Sequence, residues 1–184
     1  MGLKYLLLLR FGLVNLVAFA LLGAAWAQGL VAKVINADVT NMVVLICAVF
    51  LIGLILAGYR LWKVSKQLNA AYNFNPKERS RAADFIKKTK GKNATSRANI
   101  AQALRLKLFS RIVHIRYISN SLTVLGLIGT VLGFIIALSG VDPDVASNPS
   151  AISPMVAQLI EGMSVALYTT LVGSILSVWL GLIY

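Results

Sequence analysis

The chain has 184 residues, 58% of them hydrophobic, and one cysteine, Cys47. Its mean hydropathy of +0.79 excludes an ordinary soluble domain, and the single cysteine excludes a disulfide framework. Lys and Arg number 18 against six Asp and Glu, which gives a formal net charge of +12. Cys47 lies in an apolar run, so we interpret it as a small apolar residue rather than a redox or metal-binding group.

Four apolar segments are long enough to cross a bilayer, which takes about 20 residues. They predict an all-α membrane protein with transmembrane helices at residues 11–31, 40–59, 117–140 and 154–182. The first segment ends in Ala25-Trp26-Ala27, a small-x-small pattern that a signal peptidase could cleave. We expect an uncleaved span, because the apolar run is longer than a usual signal core and Arg10 interrupts the leucines before it.

Basic residues are concentrated between the second and third spans. Residues 60–116 hold 15 of the 18 Lys and Arg, opposed only by Glu78 and Asp84, whereas the turn at 141–153 holds Asp142 and Asp144 and no basic residue. The positive-inside rule therefore places residues 60–116 and both termini in the cytoplasm. We divide the chain into an N-terminal transmembrane hairpin (1–60), a basic cytoplasmic helical segment (60–116) and a pair of core helices (117–184).

The net charge of +12 also suggests a second interpretation, binding of nucleic acid. Basic stretches such as IKKTKGKNATSR could meet phosphates, and Tyr72 and Phe74 could stack on bases. We favour membrane topology and contact with anionic lipid head groups, since a cytoplasmic connection needs these same residues. We expect no nucleic-acid partner, and docking of a cytoplasmic or envelope effector stays open.

Two kinds of sequence follow each other within the basic segment. Residues 73–97 contain Pro76, Gly91 and many polar residues, which predict a loop and a short helix beginning near Asn75-Pro76. In residues 98–116 apolar side chains recur at steps of three and four, so we predict an amphipathic helix that continues directly into the third span. For His114, at the membrane entry of that helix, we favour a surface or packing role over a proton relay, because no carboxylate is near it in sequence.

Each of the last two spans carries a stripe of small residues at helical spacing. The first is Thr123, Gly126, Thr130, Gly133, Ala137 and Gly140, and the second is Gly162, Ala166, Thr169 or Thr170, Gly173, Ser177 and Gly181. Small residues let helix backbones approach closely in lipid, where contact between leucines drives little association. We therefore predict close helix packing at Gly126, Gly129, Gly133, Ala137, Gly162, Ala166, Gly173 and Ser177.

The sequence offers no support for catalysis by this chain alone. It contains no Gly-rich phosphate loop with a lysine, no His/Cys metal spacing, no serine elbow and no paired carboxylates. We therefore expect no enzyme activity, no metal and no cofactor. A path for ions is a better hypothesis, because polar groups facing the interior of a helix bundle usually line such paths.

Glu161 is the one side chain in the two core spans that is charged at neutral pH. It lies about two turns into the fourth span and points away from the stripe of small residues, toward the side of Val165 and Tyr168. One interpretation is a carboxylate that reaches the outer interface or pairs at a subunit contact, and the other is a role in ion entry. The first is favoured, so the main ion-carrying carboxylate is expected on a partner protein.

The segments LGLIGTVLGF and GMSVALYTTLVG resemble the paired core helices of the MotA/TolQ/ExbB proton-channel family, the ion-driven motor subunits of bacterial inner membranes. The resemblance covers residues 122–182. Its two motifs are G-x-x-G-T-x-x-G at Gly126–Gly133 and A-L-x-x-T-x-x-G at Ala166–Gly173.

The resemblance implies a homopentameric ring around a dimer of a single-span partner similar to ExbD, TolR or MotB, whose membrane aspartate accepts and releases the ion. The family's pore threonines correspond to Thr130 and Thr170, with Thr169 beside them, and the ion is a proton or sodium. The alternative function is an oligomeric membrane scaffold that conducts nothing.

This chain departs from its relatives at three points. TolQ and ExbB commonly have a glutamate where this chain has Val165, and Glu161 stands one turn earlier. TolQ and ExbB have three spans, whereas the uncleaved chain has four, as in MotA. Relatives also continue beyond the last span, whereas this sequence stops at Tyr184. Whether a cytoplasmic tail follows stays open, and a long one would suit a member similar to the phage-defence protein ZorA.

Overall fold

A computed structural model describes residues 6–72, 81–141 and 149–183. Every regular element in these ranges is an α-helix: α1 (Leu6–Ala27), α2 (Leu30–Ala37), α3 (Met42–Tyr72), α4 (Arg81–Thr89), α5 (Ala94–Ser139) and α6 (Pro149–Ile183). Four of them contain segments long and apolar enough to cross a membrane: Leu8–Ala27, Met42–Gln67, Val113–Ser139 and Ile152–Ile183. The prediction of an all-helical chain with four spans is confirmed for the described residues. Most of the acidic turn, residues 142–148, and the helix start predicted at Asn75-Pro76 lie outside them.

The first span ends earlier than residue 31. Helix α1 stops at Ala27, and Gly29 has a φ of 71°, a left-handed conformation that glycine adopts without steric cost. The chain then forms α2, a separate eight-residue helix with no buried side chain. Hydropathy could not reveal this break, because apart from Gln28 the residues near Gly29 on both sides are apolar.

The carboxylate of Asp38 caps the N-terminus of helix α3. The backbone N–H groups of Met42 and Val43 donate to the Asp38 carboxylate at 3.1 and 2.8 Å, and the Thr40 hydroxyl donates to it at 3.1 Å. These bonds satisfy donors that a helix N-terminus otherwise leaves unpaired. From this start α3 continues to Tyr72, beyond the span predicted at 40–59, so part of the basic segment extends the membrane helix.

Helix α5 is continuous from Ala94 to Ser139, which confirms that the predicted amphipathic helix runs directly into the third span. Its 46 residues correspond to a length of about 69 Å, roughly twice the thickness of a hydrocarbon core. Ile100 and Leu104 are half-buried while the residues between them are exposed. The candidate span begins at Val113, so the first 19 residues of α5 precede it.

The buried core lies where α3, α5 and α6 meet. Its members are Ile46, Phe50 and Ala57 of α3, Ile115 and Leu122 of α5, and Leu176, Trp179 and Leu180 of α6, with Val14 and Ala18 of α1 packed against them. The outward faces carry large apolar side chains, among them Leu16, Leu127 and Leu167, each more than half exposed. Surfaces of this kind fit lipid rather than water, so the chain is a multi-pass membrane protein.

Candidate functional site

Helices α5 and α6 touch through their backbones at Gly133 and Gly162. A Cβ added to Gly133 would lie 2.5 Å from the Ala166 nitrogen and 2.6 Å from the Gly162 carbonyl oxygen, and one added to Gly162 would collide with the Ala137 backbone nitrogen. Real Cβ atoms do not approach other atoms so closely, so neither position has room for a side chain. The small residues of the two stripes thus pack on each other inside one chain.

The same contact continues toward the other end of the two helices. A Cβ on Gly173 would lie 2.8 Å from the Leu122 carbonyl oxygen, and one on Gly126 would lie 3.1 Å from the Thr169 carbonyl oxygen. Leu122 is fully buried, whereas its neighbour Thr123 is exposed. The α5 contact face therefore passes through Leu122 and not through Thr123, because adjacent residues on a helix point about 100° apart.

Thr130 of α5 and Thr170 of α6 meet about halfway along the two helices, and their hydroxyl groups hydrogen-bond to each other. The Thr130 hydroxyl lies 3.1 Å from the Gly126 carbonyl oxygen and 3.4 Å from that of Ala166, and the Thr170 hydroxyl lies 3.2 Å from the Gly126 carbonyl oxygen. Both side chains are half-buried. The two motifs thus place a pair of hydroxyls at the half-buried edge of the helix contact.

Thr169 occupies a different environment from Thr170. Its side chain has no exposed surface, and its hydroxyl donates within α6 to the carbonyl oxygens of Val165 at 2.8 Å and Ala166 at 3.1 Å. A Cβ on Gly129 would lie 2.5 Å from the Thr169 Cβ. Thr169 therefore fills the space that Gly129 leaves between the helices.

A second pair of hydroxyls joins the helices at Ser119 and Ser177. The Ser119 hydroxyl donates to the Ser177 carbonyl oxygen at 2.9 Å, and the Ser177 hydroxyl donates to the Ser119 carbonyl oxygen at 2.8 Å. We call this reciprocal arrangement the serine pair. Ser177 belonged to the predicted stripe, whereas Ser119, buried at 3% exposure, was missed because it lies before Thr123, where the predicted stripe of α5 begins.

Helix α1 is joined to α6 by a polar contact that sequence reasoning missed. The Trp179 indole N–H donates to the Asn15 side-chain oxygen at 3.3 Å, and the Asn15 amide donates to the Phe11 carbonyl oxygen at 2.8 Å. Phe19 and Phe50 flank the Trp179 ring, with centroid distances of 5.1 and 4.9 Å. The signal was available, since Asn15 is a lone amide within an apolar run and such residues often join transmembrane helices.

Glu161 lies on an exposed part of α6. Its neighbour Gly162 packs against Gly133 and Ala137 of α5, so the carboxyl group lies at the level of those residues in the bundle. Val165, one turn along α6, is buried at 1% exposure. Residues 117–139 contain no charged side chain, and residues 149–183 contain only Glu161. In the described ranges no three His, Cys, Asp or Glu side chains are grouped so that they could hold a metal ion.

Comparison with known proteins bears on the helices that form this contact. The sequence model of the MotA/TolQ/ExbB proton channel family matches residues 76–184, which is more than half of the chain and includes α4, α5 and α6. Searches of curated proteins and of solved structures gave no match.

Proposed function

Because this chain belongs to the MotA/TolQ/ExbB proton channel family, we propose that it is the ion-conducting subunit of a rotary motor in the bacterial inner membrane. The observation that carries the proposal is the pair of half-buried hydroxyls, Thr130 and Thr170, at the edge of the α5–α6 contact. A hydroxyl can donate to a carboxylate and accept from water or a hydrated proton, so the pair suits the lining of an ion path. Thr169 supports this lining from inside the contact.

The proposal includes a partner, because α5 and α6 have no acidic group beside the threonine pair. Movement of protons at depth needs a titratable carrier. In the proposed assembly five copies of this chain surround a dimer of a single-span subunit similar to ExbD, TolR or MotB, and the aspartate of that subunit carries a proton or sodium ion. Each elementary charge supplies about 2.3 kcal/mol per 100 mV of membrane potential, so a few ions can drive one step of rotation.

The glycine faces of α5 and α6 are occupied by each other within one chain. We therefore place contacts between copies and with the partner on the remaining exposed faces of α5 and α6, which carry Leu127, Val131, Leu167 and Leu171. Glu161 lies on an exposed part of α6, where a subunit contact or the entry of the ion path can remove its carboxyl group from lipid. The basic segment faces the cytoplasm and anionic lipid in this arrangement.

The test is proton flux through vesicles that contain the full chain coexpressed with a single-span partner of the ExbD, TolR or MotB type. We expect Thr130→Val with Thr170→Val to lower the flux by about tenfold or more, since losing a hydrogen bond to a charged group costs roughly 1.5–3 kcal/mol. The matched control is Thr89→Val, because the Thr89 hydroxyl bonds only within its own helix, to the Phe85 and Ile86 carbonyl oxygens.

Three outcomes are distinguishable. Loss of flux in the double variant, with Thr89→Val unchanged, supports the ion path. Unchanged flux in the double variant would show that the threonine pair does not line it. Assembly with the partner but no flux in the unmodified complex would favour the non-conducting scaffold.

A further inference from the structure

The end of α4 and the start of α5 carry basic residues without acidic neighbours. The stretch 85–97 holds five Lys and Arg and no Asp or Glu. All five side chains are exposed, and we call them the basic tip: Lys87, Lys88, Lys90, Lys92 and Arg97. The two acidic residues of the cytoplasmic segment, Glu78 and Asp84, precede this stretch. Even if each of them neutralised one charge, three positive charges would remain.

The basic tip lies far from the bilayer. Helix α5 starts at Ala94, and its first 19 residues precede the candidate span at Val113. That distance is about 28 Å along the helix, and still about 22 Å along the membrane normal at a tilt of roughly 40°. Fields of exposed charges are screened beyond the Debye length, about 8 Å at physiological ionic strength. Attraction to lipid head groups therefore does not reach the tip.

Membrane topology does not account for the tip either. The positive-inside rule counts Lys and Arg within about 15–20 residues of a span end. Lys88, Lys90 and Lys92 lie 21 to 23 residues from the nearer span end, which is Gln67 or Val113. The other ten basic residues of 60–116 lie closer to the spans. They set the orientation, and the lysines of the tip need another explanation.

Hydrogen bonds hold the tip in a defined shape at the turn between α4 and α5. The Arg97 Nε–H donates to the Lys92 carbonyl oxygen at 2.9 Å, and the Arg97 backbone N–H donates to the Asn93 carbonyl oxygen at 3.0 Å. The Lys92 N–H donates to the Thr89 carbonyl oxygen at 3.2 Å, and Gly91 has a φ of 77° that suits glycine. Helix α4 also contacts both α3 and α5. A surface held in this way loses little conformational entropy when it binds a partner.

An apolar side chain lies among the basic ones. Ile86 is 48% exposed, whereas Phe85 and Thr89, one turn apart on α4, are half-buried. The packed face of α4 thus runs through Phe85 and Thr89, and Ile86 points about 100° away from Phe85. Lys90 follows Ile86 by one turn, so the two share an exposed side of α4. An apolar centre with a polar rim is typical of protein–protein interfaces.

Charge and composition together favour an acidic protein over a nucleic acid. Lys87 and Lys90 are three residues apart on α4, a spacing at which like charges repel, so a negative partner relieves their repulsion. Residues 86–99 contain no aromatic side chain that could stack on bases. Carboxylates around an apolar side chain would match both the lysines and Ile86, whereas a phosphate backbone would leave Ile86 without a partner.

We propose that the basic tip docks the acidic surface of a cytoplasmic protein, whose carboxylates meet the lysines and whose apolar side chain contacts Ile86. The cytoplasmic location rests on the orientation proposed above. The interaction does not depend on ion conduction, so unchanged flux in the threonine variants would leave it standing.

The experiment uses the full chain in nanodiscs of phosphatidylcholine, with empty nanodiscs as the blank. The probes are two fluorescent peptides of equal length and equal glutamate content, one with leucines and one with serines between the glutamates, and a single-stranded DNA of equal charge. Fluorescence anisotropy at physiological salt gives the Kd of each probe. The Glu–Leu peptide is expected to bind most tightly.

The lysines are tested by Lys87→Gln combined with Lys90→Gln. This double change should raise the Kd of the Glu–Leu peptide by about fivefold, because two charge contacts are lost. The matched control is Lys63→Gln with Lys66→Gln, which removes the same charge from exposed positions on α3 beside the membrane. Its Kd should stay within about twofold of the unmodified chain. An equal loss in both double variants would overturn the proposal in favour of general charge attraction.

The apolar contact is tested by Ile86→Gln. The Kd of the Glu–Leu peptide should rise by about fivefold, while the Glu–Ser peptide and the DNA should stay within about twofold, because only the leucines can use this contact. Leu106→Gln is the matched control, since Leu106 is 64% exposed on α5 outside the tip. It should leave all three values unchanged. Unchanged binding of the Glu–Leu peptide by Ile86→Gln would contradict the proposed interface.

Two further results would overturn the proposal in favour of another partner. Tighter binding of the DNA than of the Glu–Leu peptide, weakened by the same lysine changes, would assign the tip to nucleic acid. Phosphatidylglycerol added to the nanodiscs should change the Kd of the Glu–Leu peptide by at most about threefold, because the tip lies beyond the Debye length. A much larger loss of affinity would mean that lipid covers the tip.

Discussion

Adjacent threonines on α6 have different environments because their side chains point about 100° apart around the helix. Thr169 points into the contact with Gly129 and bonds to its own helix, whereas Thr170 reaches across to Thr130 and the Gly126 carbonyl oxygen. The sequence motif contains both threonines and does not show which of them lies inside the helix contact. Only the rotation of α6 against α5 shows that Thr170 lies at the edge and Thr169 inside.

The Asn15–Trp179 hydrogen bond gives a prediction at the level of single residues. Asn15→Leu should lower the free energy of unfolding in detergent by about 1 kcal/mol, the range found for hydrogen bonds between transmembrane helices. In the double variant that also carries Trp179→Phe, the loss of unfolding free energy should be smaller than the sum of the two single losses. Each change removes the same hydrogen bond, which can be lost only once. Unfolding of the two single variants and the double variant measures this coupling.

Leu16→Ala serves as the control for that cycle, since Leu16 follows Asn15 on α1 and is 69% exposed. It should show no coupling to Trp179→Phe. Additive losses for Asn15 and Trp179 would mean that the bond does not join α1 to α6 in the folded protein. Coupling would make α1 a fixed part of the bundle, which favours the uncleaved span.

At the level of helices, α5 and α6 form the tightest contact in the described part of the chain. Gly126, Gly133, Gly162 and Gly173 bring the backbones together, and the serine pair and the threonine pair add hydrogen bonds on the same face. Small residues let dispersion forces act between backbones, and the hydroxyls replace bonds to water that lipid cannot offer. This rigid pair is what holds the threonine hydroxyls in position.

Glycine substitutions test the contact between helices. Gly133→Ala should lower the free energy of unfolding by about 1–3 kcal/mol, because its Cβ would overlap the backbone of α6. Gly12→Ala is the matched control, since no atom lies within 4 Å of a Cβ added there. That control should leave stability unchanged or raise it by at most about 1 kcal/mol. Equal effects at both positions would argue against backbone contact at Gly133.

Reciprocal bonding at the serine pair gives a second prediction for the helices. Ser119→Ala or Ser177→Ala alone should each cost about 1 kcal/mol, since each removes a bond to the facing backbone. Ser121→Ala is the control, because the Ser121 hydroxyl bonds to Tyr117 within its own helix. Thermal unfolding in detergent measures the three losses, and a Ser121 loss as large as the others would contradict the role assigned to the pair.

At the level of the whole molecule, hydropathy and charge divide the chain along the membrane normal. The four spans carry the apolar surface, and the basic residues extend α3 and α5 on one side of the membrane. Helix α5 crosses from one region to the other without a break, so its basic part and its glycine face form one rigid element. Movement at either end of α5 would therefore be transmitted along its length.

The proposed orientation is tested by labelling single cysteines in a Cys47→Ala background in intact cells. Lys33→Cys on α2 and Lys92→Cys before α5 are both at exposed positions. A membrane-impermeant maleimide should modify Lys33→Cys directly and Lys92→Cys only after the membrane is permeabilised. The reverse pattern would invert the topology of the whole chain.

The sequence by itself determined the four spans, the separation of basic residues from the membrane, the small-residue faces of α5 and α6, and the resemblance to a family. These are local properties, since hydropathy and helical spacing are read within a single segment. The tertiary structure alone decided that Gly133 meets Gly162 inside one chain and that Asn15 bonds Trp179. Such contacts depend on how far each helix is rotated and shifted against its neighbours, and that is set by packing between residues distant in sequence.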